Sequence, residues 1–283
     1  MPLLHDATLL RLLLRVVAGS VMASAIALGA YRARALTSSG AVAAIIVGAL
    51  AFAFGGLLIA AAIVIFFVTG SLLGRLRNAT ADRARSLAAK DAHRDAAQVG
   101  ANGAVAVLCA IAAGVAAILG WPHAPRLSVA AVCAIAAASG DTWSTEIGAF
   151  ARGATRRITD LRPVQAGTSG GITLLGTVAA PLGGAVIGIA GIFAPGVAPL
   201  TGWIGICALA GLAGSLFDSV LGATLQGLWT CPICQTTAET RAHAGCSSPA
   251  ELVRGLGWLD NDAVNAAMTL GGAALGYALG AFF

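Results

Sequence analysis

The sequence predicts an all-α fold, a polytopic membrane bundle of about seven spans, and three observations carry that class. The 283-residue chain is 58% hydrophobic and only 10% charged, a balance that a water-soluble domain does not tolerate. Its apolar residues fall in runs long enough to cross a bilayer, which takes about 20 residues for roughly 30 Å of hydrocarbon. Many of its 37 glycines lie in those runs beside alanine, the composition of helices that pack backbone to backbone in lipid. The net charge of +5 does not point to a nucleic-acid partner. The arginines stand in short loops beside apolar runs, as the positive-inside bias requires.

The first run, 9–30, contains Arg11 and Arg15 and is long enough to span. No convincing cleavage context ends it, so it is kept as a first helix in place of a secretory signal. The run 41–69 exceeds one span and carries Gly55-Gly56 at its middle. It forms either one tilted helix or two pieces broken at the glycines, which raises the count to eight. The first piece alone, 41–54, reaches only about 21 Å at 1.5 Å per residue, so it thins the bilayer or is re-entrant. The loop 74–98 carries Arg75, Arg77, Arg83, Arg85, Lys90 and Arg94 and is expected in the cytoplasm. Further spans follow at 99–120, 127–149, 168–191, 200–227 and 262–283. The turns 121–126 and 192–199 fall outside. Arg152, Arg156, Arg157 and Arg162 fall inside, as does the polar segment 228–260. The expected organisation is one transmembrane domain over 1–283, multi-pass in the cell membrane, with 228–260 inserted as a cytoplasmic Cys/His loop.

The chemically suggestive residues gather at the cytoplasmic ends of these spans. In SGDTWSTEIG, Gly140 permits a tight turn and Asp141 either caps a helix or projects a carboxylate; Trp143 suits an interface. In a helix Thr142 and Glu146 share a face that Asp141 does not, so joint metal binding by Asp141 and Glu146 needs a break or a distant partner. A second acid at membrane depth is costly without a task. Gly167, Thr168, Ser169, Gly170 and Gly171 open the next apolar run, where backbone N–H groups can hold a phosphate; a flexible loop entering a close-packed helix has the same composition. The four arginines before the turn favour the phosphate, since a polyphosphate needs cations as well as amides. Asp218 lies inside an apolar span with Gly214, Gly222 and Gln226 on its stripe, as either a functional carboxylate or a packing hydrogen bond. Asp260, Asp262 and Asn265 begin the last helix and offer oxygen ligands for Mg²⁺, although capping accounts for one of them. Arg94 and Asn102 stand at the mouth of the third run. Cys231 and Cys234, followed by His243 and Cys246, form C-x2-C and H-x2-C pairs that suit structural zinc in a reducing compartment.

In this order and spacing, SGDTWSTEIG, GTSGGIT, LGATLQ and WLDNDAVN resemble the membrane family of transmembrane protein 19 and the plant and cyanobacterial phytyl-phosphate kinases. RDAAQVGANG at 94–103 and ALTSSGA at 35–41 resemble its bacterial branch. The resemblance covers nearly the whole chain. It implies a lipid kinase that adds phosphate to a prenyl monophosphate, from CTP or another nucleoside triphosphate with Mg²⁺. The residues read as such an enzyme have Asp141, Glu146 and the 167–171 turn holding the Mg²⁺-nucleotide, Asp218 catalytic, and Gly140, Thr142, Arg94, Asn102 and Gln226 toward the nucleotide phosphates. A more distant likeness, to dolichol kinases and phosphatidate cytidylyltransferases, supports nucleotide chemistry at Asp141 and Thr168. The alternatives are cytidylyl transfer to a lipid phosphate, which uses the same parts, a small-solute transporter built on Asp218 and the broken 41–69 run, and a scaffold binding through the cysteine loop. Against transport, the polar residues cluster near one membrane face and no inverted repeat is evident.

Overall fold

The computed structural model describes residues 2–80, 93–235, 237–239, 241–243, 246 and 248–282; Arg83, Arg85 and Lys90 lie outside them. The chain forms α1 (Pro2–Arg32), α2 (Ser38–Thr80), α3 (Ala96–Ile118), α4 (Ala124–Gly148), α5 (Leu174–Gly188), α6 (Leu200–Thr224) and α7 (Asn261–Leu279). Short strands join them: β1 (Thr155–Arg157), β2 (Pro163–Val164) and β3 (Gly171–Ile172) between α4 and α5, then β4 (Leu228–Thr230), β5 (Thr237–Ala238), β6 (Ala242–His243), β7 (Ser248–Pro249) and β8 (Glu251–Arg254) between α6 and α7. Among the described residues six helices, α1 to α6, are long and apolar enough to cross a membrane. α7 is not one of the six. It buries Val264, Met268, Gly272 and Gly276 within the bundle.

The apolar run after residue 40 breaks at the glycines. Gly56 adopts φ 62° and ψ −153° inside α2, a left-handed φ that glycine tolerates without a Cβ penalty. Contacts show that the chain doubles back there. Main-chain Arg94 bonds Ala35 and Thr37, at 3.1 and 3.0 Å, just before α2 begins. The same arginine's guanidinium lies over Phe66 and Phe67, 5.1 and 5.6 Å from their ring centres. A straight helix would hold residues 40 and 67 roughly 40 Å apart. The first limb starts at residue 38, earlier than the hydropathy suggests, and covers about 27 Å by residue 55.

Glycines set the helix directions. A Cβ on Gly48 would stand 2.9 Å from the Ala23 Cβ, and one on Gly103 would be 3.1 Å from Val47 Cγ1. On the return limb, Gly70 faces Thr142 and Gly74 faces Glu146; Gly148 meets Thr173, Gly188 meets Ile204, and Gly276 meets Cys133. With α2 counted as two limbs, successive helices alternate in direction. α4 is the axis, buried continuously from Val129 to Gly140, because an alanine-rich run lets neighbours close in on every side. The loops before α2, before α3, between α4 and α5 and between α6 and α7 therefore share one end of the bundle. All the described arginines except Arg11, Arg15 and Arg126 lie toward that end.

Candidate functional site

α4 is helical without interruption from Ala124 to Gly148. Asp141 thus lies in its last turns and caps nothing, and Gly140 is not the pivot of a tight turn. Gly140 lies where α4 crosses α6, and a Cβ there would collide with the Gly211 backbone. The unbroken helix sends Asp141 and Glu146 to different neighbours. Asp141 meets Asp218 of α6, near enough for the two carboxylates to repel one another. Glu146 turns to α2, where its Oε1 pairs with the Arg77 guanidinium at 3.2 Å. Gly74 lies beside this pair, where a Cβ would fall at ordinary contact distance, 3.8 Å, from the same oxygen. Trp143 is partly buried and tied to α2, its Nε1–H donating to Thr69 Oγ1 at 3.3 Å.

Arg94 joins the two halves of this end. A Cβ on Gly70 would stand 2.6 Å from an Arg94 guanidinium nitrogen and 3.2 Å from Thr142 Cγ2. Burial lowers the Arg94 guanidinium from its ordinary value, and the Glu146 carboxylate opposes that shift. Main-chain bonds to Ala35 and Thr37 fix its position. Asn102 lies further along α3 and donates from Nδ2 to Gln98 O at 3.0 Å.

The turn at 167–171 reaches the site from a small sheet ordered β2-β1-β3. It is not the first turn of α5, which begins at Leu174 with Thr173 accepting from Gly176 N as its cap. Gly167 and Gly170 take φ 86° and 77°, so their backbones turn as other residues do only under strain. Two amides are used within the turn, Thr168 N to Gln165 O at 3.1 Å and Gly171 N to Thr168 O at 2.9 Å. Ser169 Oγ donates to Gln226 Oε1 at 2.7 Å. Gly222 allows this approach, because a Cβ there would be 2.7 Å from Ser169 Oγ. Gln226 lies past the end of α6, buried, and its Nε2 has no hydrogen-bond partner among the described residues. The turn therefore docks on the last turns of α6, one to two turns beyond Asp218.

Asp260 is spent as a cap, its carboxylate accepting from Ala263 N at 3.0 Å. Asp262 and Asn265 follow in the first turns of α7, at the same end as Asp141 because α7 runs antiparallel to α4. In the 228–260 segment the sulfurs of Cys231, Cys234 and Cys246 lie within 4.8 Å of one another. Tetrahedral zinc with bonds of about 2.3 Å would draw sulfurs to about 3.8 Å, so the three thiols fit one ion with little movement. The Cys246 thiol is pushed up to about 11, first by its hydrogen bond with Cys234. The side chain of His243 lies outside the described residues; its main chain pairs with Ser248 in the β6–β7 ladder. Arg254 ties this segment down, donating to Gly222 O at 2.9 Å.

Sequence reasoning missed Arg77 as a site residue, and Ser139, whose Oγ donates to Gly183 O at 2.8 Å in the core. Arg77 was legible only as one basic residue among several. Gly70 and Gly74, about two turns and one turn earlier and spaced for close helix approach, carried the signal that this face of α2 meets another helix.

Residues 21–273 match the model of an integral membrane protein family, DUF92. Protein PGR of Arabidopsis thaliana is 30% identical over 271 residues, covering 89% of this chain and 91% of its own. An uncharacterised membrane protein of Methanocaldococcus jannaschii is 30% identical over 215 residues, with 76% and 84% covered. Another from Synechocystis is 29% identical over 164 residues, with 58% and 62% covered. No solved structure matches the chain significantly. The matched region takes in every motif on which the resemblance to transmembrane protein 19 and the phytyl-phosphate kinases rests, and the chain belongs to that family of integral membrane proteins, DUF92.

Proposed function

We propose that the protein is a Mg²⁺-dependent prenyl-phosphate kinase of the cell membrane, with its arginine-bearing end in the cytoplasm. The observation that carries this is the meeting of Asp141 and Asp218, from two helices, at the end where the 167–171 turn and the arginines converge. Two like charges brought together near the membrane surface are unfavourable alone and suit a divalent cation. Asp141 and Asp218 would hold the Mg²⁺ that accompanies the nucleotide, which supplies neutralisation of its phosphate charge. Gly167 to Gly171 would orient those phosphates through Thr168 and the remaining backbone amides, while Ser169 fixes the turn to Gln226. Arg94 and Arg77 would hold the lipid phosphate. In the transfer an oxygen of the lipid phosphate attacks the γ-phosphorus, the bond to the β–γ bridging oxygen breaks, and a nucleoside diphosphate leaves with that oxygen. Such a reaction asks for positioning and charge stabilisation more than for a covalent nucleophile.

Purified protein incubated with labelled CTP and prenyl monophosphates is expected to form prenyl diphosphate and CDP. Release of pyrophosphate with a CDP-lipid would instead establish cytidylyl transfer. No nucleotide-dependent product, with any of the four common triphosphates, would remove both readings.

We further propose that Cys231, Cys234 and Cys246 hold a structural Zn²⁺, with His243 as fourth ligand by its spacing. A four-ligand site of this kind contributes folding energy to a short segment of two- to four-residue strands that otherwise has little core. It would clamp 228–260 between Gln226 and Asp260, beside the docked turn.

A further inference from the structure

An apolar groove of roughly 980 Å³, counted with its open side, lies between α1, both limbs of α2 and α3. Its walls are almost wholly hydrocarbon, among them Ala44, Phe52, Ala60, Val64 and Phe67. Met22 and Ile26 stand at its open side, both well exposed to the surroundings of α1. Gly19 and Gly48 close its floor by bringing α1 against the first limb of α2, where a Cβ would meet Ala49 O at 3.0 Å or Ala23 Cβ at 2.9 Å. Polar atoms gather at one end only, from Arg94, Gln98 and Asn102. Arg94 is thus shared. Its guanidinium borders this groove and also lies beside Thr142 on the far side of Gly70, at the candidate site.

A channel that is apolar along its length and cationic at one end complements an amphiphile with one hydrocarbon chain and an anionic head. We propose that the groove holds the hydrocarbon chain of a prenyl monophosphate, with its phosphate at Arg94 and its chain running down between the limbs of α2. The inference rests on the kinase reading for the identity of the head, and it adds where the acceptor sits and how it arrives. Ala44 to Phe52 gives about 12 Å of wall at 1.5 Å per residue, and the side opening lets a membrane-dissolved chain enter laterally. The nucleotide turn approaches from α6, on the opposite side of α4. Donor and acceptor therefore enter from different faces and meet at the end of α4.

The test is binding without nucleotide. Full-length protein in nanodiscs is irradiated with diazirine-bearing farnesyl phosphate, and labelled peptides are mapped. Label is expected in 44–67 and 98–103, competed by unlabelled farnesyl phosphate and at least roughly ten-fold less well by farnesol, which lacks the charge-assisted contact. Ala60→Phe, which fills the groove, is expected to abolish labelling. Arg94→Gln is expected to make farnesol and farnesyl phosphate compete equally. Label confined to other helices, or unchanged in Ala60→Phe, would overturn the proposal, as would better competition by two-chained phosphatidic acid. The kinase reading fails separately. Groove labelling with no transfer from any nucleotide leaves the groove intact, whereas transfer whose KM for farnesyl phosphate ignores both substitutions removes the groove and keeps the kinase.

Discussion

Asp141 and Glu146 stand on one helix and belong to different constellations, one facing Asp218 and the other Arg77. Their substitutions should separate accordingly. Asp141→Asn and Asp218→Asn keep shape and remove charge, so each is expected to lower transfer roughly a hundredfold or more. Relief of like-charge repulsion should leave thermal stability equal to or above that of the parent. Glu146→Gln removes an ion pair that is only partly exposed, at a cost of about 1 kcal/mol, and should lower the melting temperature as well as activity. Thr168→Ala should be the mildest, since the amides of the turn remain. Kinetics and calorimetry on the same preparations check the whole set. Full activity in Asp141→Asn would defeat the carboxylate-pair assignment. The acids themselves were legible, because a carboxylate at membrane depth is a rare expense. Their partners were not: helical periodicity says which residues share a face, never which helix that face meets.

At the scale of elements, the sequence predicted the helices well, counted α7 as a span although it is not among the six long and apolar enough to cross, and placed the edges poorly. α5 starts at Leu174 and not at 168, because Thr173 caps it and the glycine turn belongs to the preceding sheet. α6 stops at Thr224, short of Gln226. Hydropathy fixes neither event, since near-neutral Gly, Thr and Ser suit a turn as well as a helix start, and the boundary is set by the Thr173 cap and the left-handed glycines. The crossing of α4 and α6 can be tested at its contact. Gly140→Leu would force apart two backbones that touch, at a cost of roughly 1–3 kcal/mol or more. A fall in melting temperature is expected even before activity is measured, and an unchanged one would contradict the crossing. The cysteine segment makes a different demand. Metal analysis should find about one zinc per chain, lost in Cys231→Ser, and cobalt exchange should bring a thiolate charge-transfer band. Protein prepared under reducing conditions without chelator and free of zinc would leave the three thiols without that role.

Across the whole molecule, alternation of the helices puts every site-bearing loop at one end, with the start of α1 and the end of α7 at the other. Impermeant thiol reagents applied to intact cells should label Gly196→Cys and leave Gly153→Cys untouched; the reverse would invert the molecule and expose its site to the outside. The class of fold was readable from composition, and the shared face from the placement of arginines. The hairpin in α2 was left open by the sequence, since an apolar run of that length is compatible with tilting as well as turning. Its bend has a further consequence for how the chain is made. From Ala51 to Ala60 the turn contains no polar side chain, so no hydrophilic loop has to be carried through the bilayer during synthesis. Both limbs can enter the lipid together as one wedge, pushed from the side where ribosomes work, and an epitope tag spliced at Gly55-Gly56 should block assembly of everything that follows.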